Sequence, residues 1–173
     1  MFEVGVIKLF NIYKEKKMKK ISSFEINHLS LNEGIYVSRI DGDIITYDIR
    51  FCKPYSGNIL SNEQLHTIEH LLATIFRNNL NFGRNIVYFG PMGCQTGFYL
   101  LVNMNIGEIT HSDTIDMILD GLKRIINWNE EIPGNSQIEC GNCNTLQLET
   151  AKEAVEKFYN ILQNIENIKN MKY

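Results

Sequence analysis

The chain has 173 residues, 44% of them hydrophobic and 21% charged, with a net charge of −3. Those values fit one ordinary globular domain and give no electrostatic footprint for nucleic acid or an anionic membrane. No apolar run approaches the ~20 residues of a membrane-spanning helix, and no repeat or low-complexity tract stands out.

Residues 1–20 differ from the rest. Lys8, Lys14, Lys16, Lys17, Lys19 and Lys20 face only Glu3 and Glu15, so about +4 sits here and about −7 on the remainder. Residues 1–17 read as an appendage, disordered or not native. The opening "MFEVGVIKLFNIY" makes a poor signal peptide, because Lys8 and Asn11 break the apolar stretch and no small-residue cleavage site follows. Cys52, Cys94, Cys140 and Cys143 are therefore read as reduced thiols of a cytoplasmic protein rather than as a disulfide frame.

"GIYVSRI" and "DIITYDIRF" are two β-rich runs joined around Asp41-Gly42, a hairpin signal. Residues 61–80 form the clearest helix: Ser61 with Gln64 makes a capping box, Leu65, Ile68, Leu72 and Ile75 recur at helical spacing, and Gly83 follows. "NIVYFG" and "TGFYLLVN" read as strands around the turn-rich "GPMGCQTG". A second helix spans about 112–128, with Ile115, Ile118, Leu119, Leu122 and Ile126 on one face. A third covers roughly 149–166. Paired strands interrupted by helices predict an α+β fold: an antiparallel β-sheet with packed α-helices in a single domain.

The first helix carries "HTIEH". His66 and His70 lie at i and i+4, so their side chains stand one above the other and two imidazole nitrogens can reach one metal ion at ~2.0–2.1 Å. Glu69 sits about 100° around the helix from His70, beside such an ion, where a proton-transfer group belongs. The alternative is a surface His-Glu-His cluster. A third ligand is open among His28, His111 and the cysteines. Cys140, in "IECGNC", would leave an open catalytic site, and adding Cys143 would close it into a structural Cys2His2 site. Arg77 follows His70 by seven residues, ~10 Å along the axis, where a guanidinium can hold a distant carboxylate of a substrate; a solvated arginine is the plainer alternative. Cys94 lies in a tight turn with Pro91, Gly93 and Gly97. Near a dication its thiol would titrate low and serve as an acid–base group, whereas a buried structural cysteine is the other reading. Cys52 reads as core.

Together the segments "SFEINH" (23–28), "YDIRFCKP" (47–54), "HTIEHLLATIFR" (66–77), "GPMGCQTGFY" (90–99) and "EIP" followed by "ECGN" (131–142) resemble S-ribosylhomocysteine lyase, the LuxS-type family that makes the autoinducer-2 precursor. The resemblance runs from about residue 18 to the last helix. It implies an α+β homodimer with active sites at the interface and one Fe(II) per subunit, for which zinc or cobalt can substitute. It implies His66, His70 and Cys140 as metal ligands, and Cys94 and Glu69 as general acid–base residues. Ser23, His28 and Arg50 correspond to residues around the ribose, and Arg77 to one near the homocysteine carboxylate. The implied reaction moves the sugar carbonyl from C1 to C3 and then eliminates the thioether. Its products are L-homocysteine and 4,5-dihydroxy-2,3-pentanedione.

Three positions depart from that pattern. Tyr88 stands where aspartate is usual, Gly90 where serine is usual, and Cys143 where no cysteine is expected. Two rival readings remain: a metalloprotease of the His-x-x-Glu-His type with a downstream glutamate ligand, and a non-enzymatic Cys2His2 module whose fold depends on the metal. "MKKISSF" places Ser23 at the sixth residue counted from Met18, as in the family, so translation is expected to start there. An intact mass of native protein that includes Met1 would contradict that start site.

Overall fold

A glycine between two β-rich runs lets the chain fold back on itself, and Gly42, at φ +59°, does this. In the computed structural model, which describes residues 19–21 and 24–170, strand β1 (Gly34–Asp41) and strand β2 (Ile44–Arg50) form the expected hairpin. Residues 1–17 and Ser23 lie outside the described residues. Strands β3 (Ile86–Pro91) and β4 (Gly97–Asn103) complete a four-stranded sheet in the order β1-β2-β4-β3, with every pairing antiparallel. Among the described residues three long helices pack against this sheet, and the expected α+β class holds. Among the described residues no helix is long and apolar enough to cross a membrane.

Helix α1 (Asn62–Arg77) starts with the capping box expected: the Ser61 amide donates to Gln64 Oε1 at 2.9 Å and the Gln64 amide to Ser61 Oγ at 3.2 Å. It ends three residues before residue 80. Asn79 Oδ1 accepts from the amides of Asn81 and Phe82, a local turn that competes with further helix. Helix α2 (His111–Ile126) uses a second box, Thr110 with Asp113, and helix α3 (Leu148–Gln163) follows.

Period-two alternation sorts the strands into two faces. Ile35, Tyr47, Ile49, Phe89, Phe98, Leu100 and Val102 point at the helices and join Ile68, Leu72, Phe76, Ile115, Leu122 and Phe158 in one core. Each fully buried apolar side chain of this kind contributes ~1.5–3 kcal/mol. The opposite face carries Asp48 and Arg50, which are buried nonetheless, at 0% and 2% exposure. The β3–β4 turn is fastened to the chain before α1. The Leu60 amide donates to Gln95 O, the Cys52 amide to Thr96 O, and Gln95 Nε2 to Asn62 Oδ1. Cys94 is thereby fixed near the helix start.

Gly97 is required by this close approach. A Cβ there would lie 2.2 Å from the Ile49 carbonyl oxygen and 3.1 Å from Arg50 Cα, and backbone cannot swing away. Gly97→Ala should lower stability by about 1–3 kcal/mol, read as a lower urea midpoint at unchanged slope. At Gly93 an added Cβ meets nothing within 4 Å, so Gly93→Ala should stay within about 0.5 kcal/mol of the parent. Equal midpoints for the two variants would refute the contact.

Candidate metal centre and thiol pocket

On α1 the apolar stripe faces the core and leaves His66 and His70 half-buried on its flank. Their ring centroids are 4.6 Å apart with planes at 90°. Each ring is held through Nδ1. His70 Nδ1 lies 2.7 Å from the Pro133 carbonyl oxygen, which can only accept, so Nδ1 carries the proton. His66 Nδ1 lies 2.7 Å from Thr145 Oγ1, whose own hydroxyl donates to Asn142 O at 3.0 Å. That hydroxyl therefore accepts from His66. In both rings the Nε2 lone pair is left facing the cluster.

Cys140 closes the group. Its Sγ lies 3.3 Å from His66 Nε2, and the ligand atoms of His66, His70 and Cys140 all fall within 4.8 Å of one another. In a tetrahedral site with nitrogen and sulfur ligands such atoms sit about 3.5 Å apart. Two imidazoles with their outer nitrogens pinned, plus one thiol, suit a divalent ion of intermediate softness and leave a fourth position open. Burial, aided by the nearby His70 ring, lowers the His66 pKa against the opposing pull of Glu69. His66 is then neutral and able to ligate at neutral pH. Gly134 (φ +74°) lets the loop turn so close to His70 that a Cβ would sit 3.0 Å from the ring.

The other third-ligand candidates are elsewhere. His111 stacks on Tyr47 and bonds its hydroxyl and the Lys169 carbonyl. His28 holds Ile26 O through Nδ1 and lines a different cavity. Among the described residues the converging set contains a cysteine in third place, with neither Cys143 nor a downstream glutamate in it. Glu69 Oε2 is 3.9 Å from His70 Nε2, at the edge of the cluster. Arg77 is exposed and donates to Val87 O at 3.2 Å.

Cys94 belongs to a second group. His28, Arg50, Cys94 and Thr96 line a cavity of ≈ 640 Å³ together with Phe24, Tyr55 and Ile59. Those last three lining residues are 69%, 83% and 55% exposed. Arg50 is clamped by Asp48 and by Thr96 Oγ1, and points Nη1 at Cys94 Sγ across 3.9 Å. Burial raises the Cys94 pKa, but the hydroxyl and amide of Thr96 together with Arg50 outweigh it and hold the thiol below its ordinary value. Cys94 itself is exposed. Cys52, by contrast, packs against the core, and burial pushes its thiol up. The described lining of the cavity includes none of the three converging residues.

Several positioning residues have no obvious signature in the chain. Thr145 and Pro133 orient the imidazoles, and only the Pro133-Gly134 dipeptide signals a tight turn. Asp48 and Thr96 orient Arg50, and the spacing of Asp48 and Arg50, two apart on a strand, is the one clue that they share a face. Tyr88 and Gly90 form a single feature: a Cβ at Gly90 would meet the Tyr88 hydroxyl at 2.0 Å, so the phenol occupies the space of any side chain at 90.

A family model described as S-ribosylhomocysteinase (LuxS) matches residues 21–171. A protein named S-ribosylhomocysteine lyase from Borreliella afzelii (strain PKo) is 48% identical over 160 residues, covering 90% of this chain and 99% of its own length. Proteins of the same name from Finegoldia magna and Clostridium acetobutylicum are 43% and 41% identical over 152 residues, each covering 86% of this chain and 94% of its own length.

Because Thr96 and Arg50 favour the thiolate, Cys94 should be alkylated by iodoacetamide with a midpoint below the ~8.5 of a free cysteine. Thr96→Val removes the hydroxyl, so its midpoint should rise. A wild-type midpoint at or above the free value would contradict the geometry.

Proposed function

The chain belongs to the S-ribosylhomocysteinase (LuxS) family, and from that membership we propose that it is a metal-dependent carbon–sulfur lyase. Its substrate on this reading is S-ribosylhomocysteine, and its products are L-homocysteine and 4,5-dihydroxy-2,3-pentanedione. The observation that supports it most is the convergence of His66, His70 and Cys140, with both outer ring nitrogens engaged by the protein.

His66, His70 and Cys140 would hold Fe(II), one per subunit, with zinc or cobalt as substitutes. When bound, the ion supplies Lewis acidity that stabilises negative charge developing on the sugar oxygen, worth several kcal/mol. The remaining chemistry falls to side chains. Cys94, held toward thiolate by Thr96 and Arg50, takes a proton from a sugar carbon and returns it to the neighbouring one. Glu69, at the rim of the ligand cluster, moves protons between sugar oxygens and assists departure of the thioether. Such acid–base groups contribute ~10²–10⁴-fold each. His28 and Arg50, which share the Cys94 cavity, and Ser23 would bind the ribose hydroxyls. Arg77, beyond the ligand helix turn, would take the homocysteine carboxylate, with the Tyr88 phenol over Gly90 shaping the wall in place of the acidic residue usual in the family.

Among the described residues the thiol cavity and the ligand cluster share no lining residue, and Phe24, Tyr55 and Ile59 at the cavity are apolar and exposed. A homodimer with active sites at the interface would cover them. Its mass in solution should be twice the 20.0 kDa of the chain, and a monomer by light scattering would oppose it.

The direct assay adds S-ribosylhomocysteine to the ferrous protein and follows free thiol release. Cys94→Ala and Glu69→Gln should each retain the ion while turnover falls by about 10²-fold or more. Near-normal rates in either variant would remove that residue from its role.

A further inference from the structure

Cys143 has no part in the reading above, yet it sits three residues after Cys140, across a turn made by Gly141 and Asn142. The ends of such a four-residue turn lie within ~7 Å between Cα atoms, and disulfides span ~4.4–6.8 Å. Both turn residues are exposed, and a Cβ on Gly141 would meet nothing within 4 Å, so the turn has room to adjust. Both thiols are free and half-buried, within reach of a small oxidant. Cys143 also opens the short 3₁₀ turn Cys143–Thr145, the same turn whose Thr145 hydroxyl fixes the His66 ring. A bond pulling Cys143 toward Cys140 would disturb two of the three ligand residues at once.

We propose that Cys143 is a resolving cysteine, which traps peroxide-oxidised Cys140 as a Cys140–Cys143 disulfide and reversibly empties the metal site. The inference rests on Cys140 being a metal ligand. In the first step the Cys140 sulfur attacks one peroxide oxygen, an S–O bond forms, the O–O bond breaks, and the leaving hydroxide becomes water with a proton from the thiol or, where Cys140 is a thiolate, from solvent. In the second step the Cys143 sulfur attacks the Cys140 sulfenic acid, the S–S bond forms, the S–O bond breaks, and hydroxide leaves as water with the Cys143 proton. Two thiols lose two electrons and one peroxide becomes two waters. The bridged sulfur no longer carries the thiolate charge that binds a cation, and a dithiol restores it. Without Cys143, the sulfenic acid is open to further oxidation to sulfinic acid, which dithiols do not reverse.

Zinc-loaded full-length protein, its zinc content measured first, is treated with hydrogen peroxide. Peptide mapping then locates disulfides and a chromogenic chelator records released zinc. The parent should form the Cys140–Cys143 bond, release one zinc per chain, and rebind zinc after dithiothreitol. Cys143→Ser should bind zinc normally when reduced, form no such bond, and fail to recover zinc after the same cycle, with Cys140 found as sulfinic acid. The proposal is overturned if the oxidised parent keeps its zinc, or if Cys140 pairs with another cysteine. It is also overturned if Cys143→Ser recovers as fully as the parent, or loses zinc while still reduced. If the untreated parent binds no zinc, the ligand reading itself fails, and mapping on the metal-free chain still decides whether the disulfide forms.

Discussion

The orientation of two imidazole rings is the constraint on which the rest of the molecule depends. A histidine can present either nitrogen, and the choice is made by what the other nitrogen bonds. Here a carbonyl and a hydroxyl, both supplied by the segment between α2 and α3, take the Nδ1 protons of His70 and His66. The helix alone would bring the rings together without settling which lone pairs converge. That segment and the first turn of α3 are in turn moored to α1, where the Gln147 amide donates to Thr67 Oγ1 at 2.8 Å and Gln64 Nε2 to Thr150 O at 3.1 Å. Cys140, on the same segment, arrives opposite His66 because of this mooring. Helix, loop and ligand set form one mechanical unit.

A second chain of contacts runs through the sheet. Asp48 and Arg50 are an ion pair with almost no solvent contact, an arrangement that is costly to desolvate and is tolerated where geometry is good. Asp48 holds the guanidinium so that Nη1 faces Cys94 and Thr96, and electrostatic attraction there favours sulfur as an anion. The tight β2–β4 approach at Gly97 brings these residues into register. A thiol favoured toward its anion this way draws its character from backbone packing a strand away.

Much of this was legible in the chain, for physical reasons. The hairpin at Asp41-Gly42, the Ser61–Gln64 box and the stripe on α1 are local signals, set by turn chemistry and periodicity within a few residues. The His66–His70 pair is likewise local, since i,i+4 spacing fixes proximity on any helix. The choice of Cys140 over His28 or His111 depends on tertiary placement and was carried by family resemblance rather than spacing. Thr145, Pro133, Asp48 and Thr96 do not stand out in the chain, because a residue that orients another has no residue-type signature. Helix α1 stops at Arg77, short of the expected residue 80, because an asparagine side chain competes with the backbone there. The linkage of Tyr88 to Gly90 appears only once the ring is seen lying over the strand.

The central claim is that two ring nitrogens and one sulfur of this chain surround a single divalent ion. X-ray absorption at the metal edge of the purified protein measures this most directly. The account predicts two imidazole nitrogens at ~2.0–2.1 Å and one sulfur at ~2.3 Å for a zinc-loaded sample, completed by a light oxygen or nitrogen scatterer. A shell with no sulfur, or with two, would contradict it.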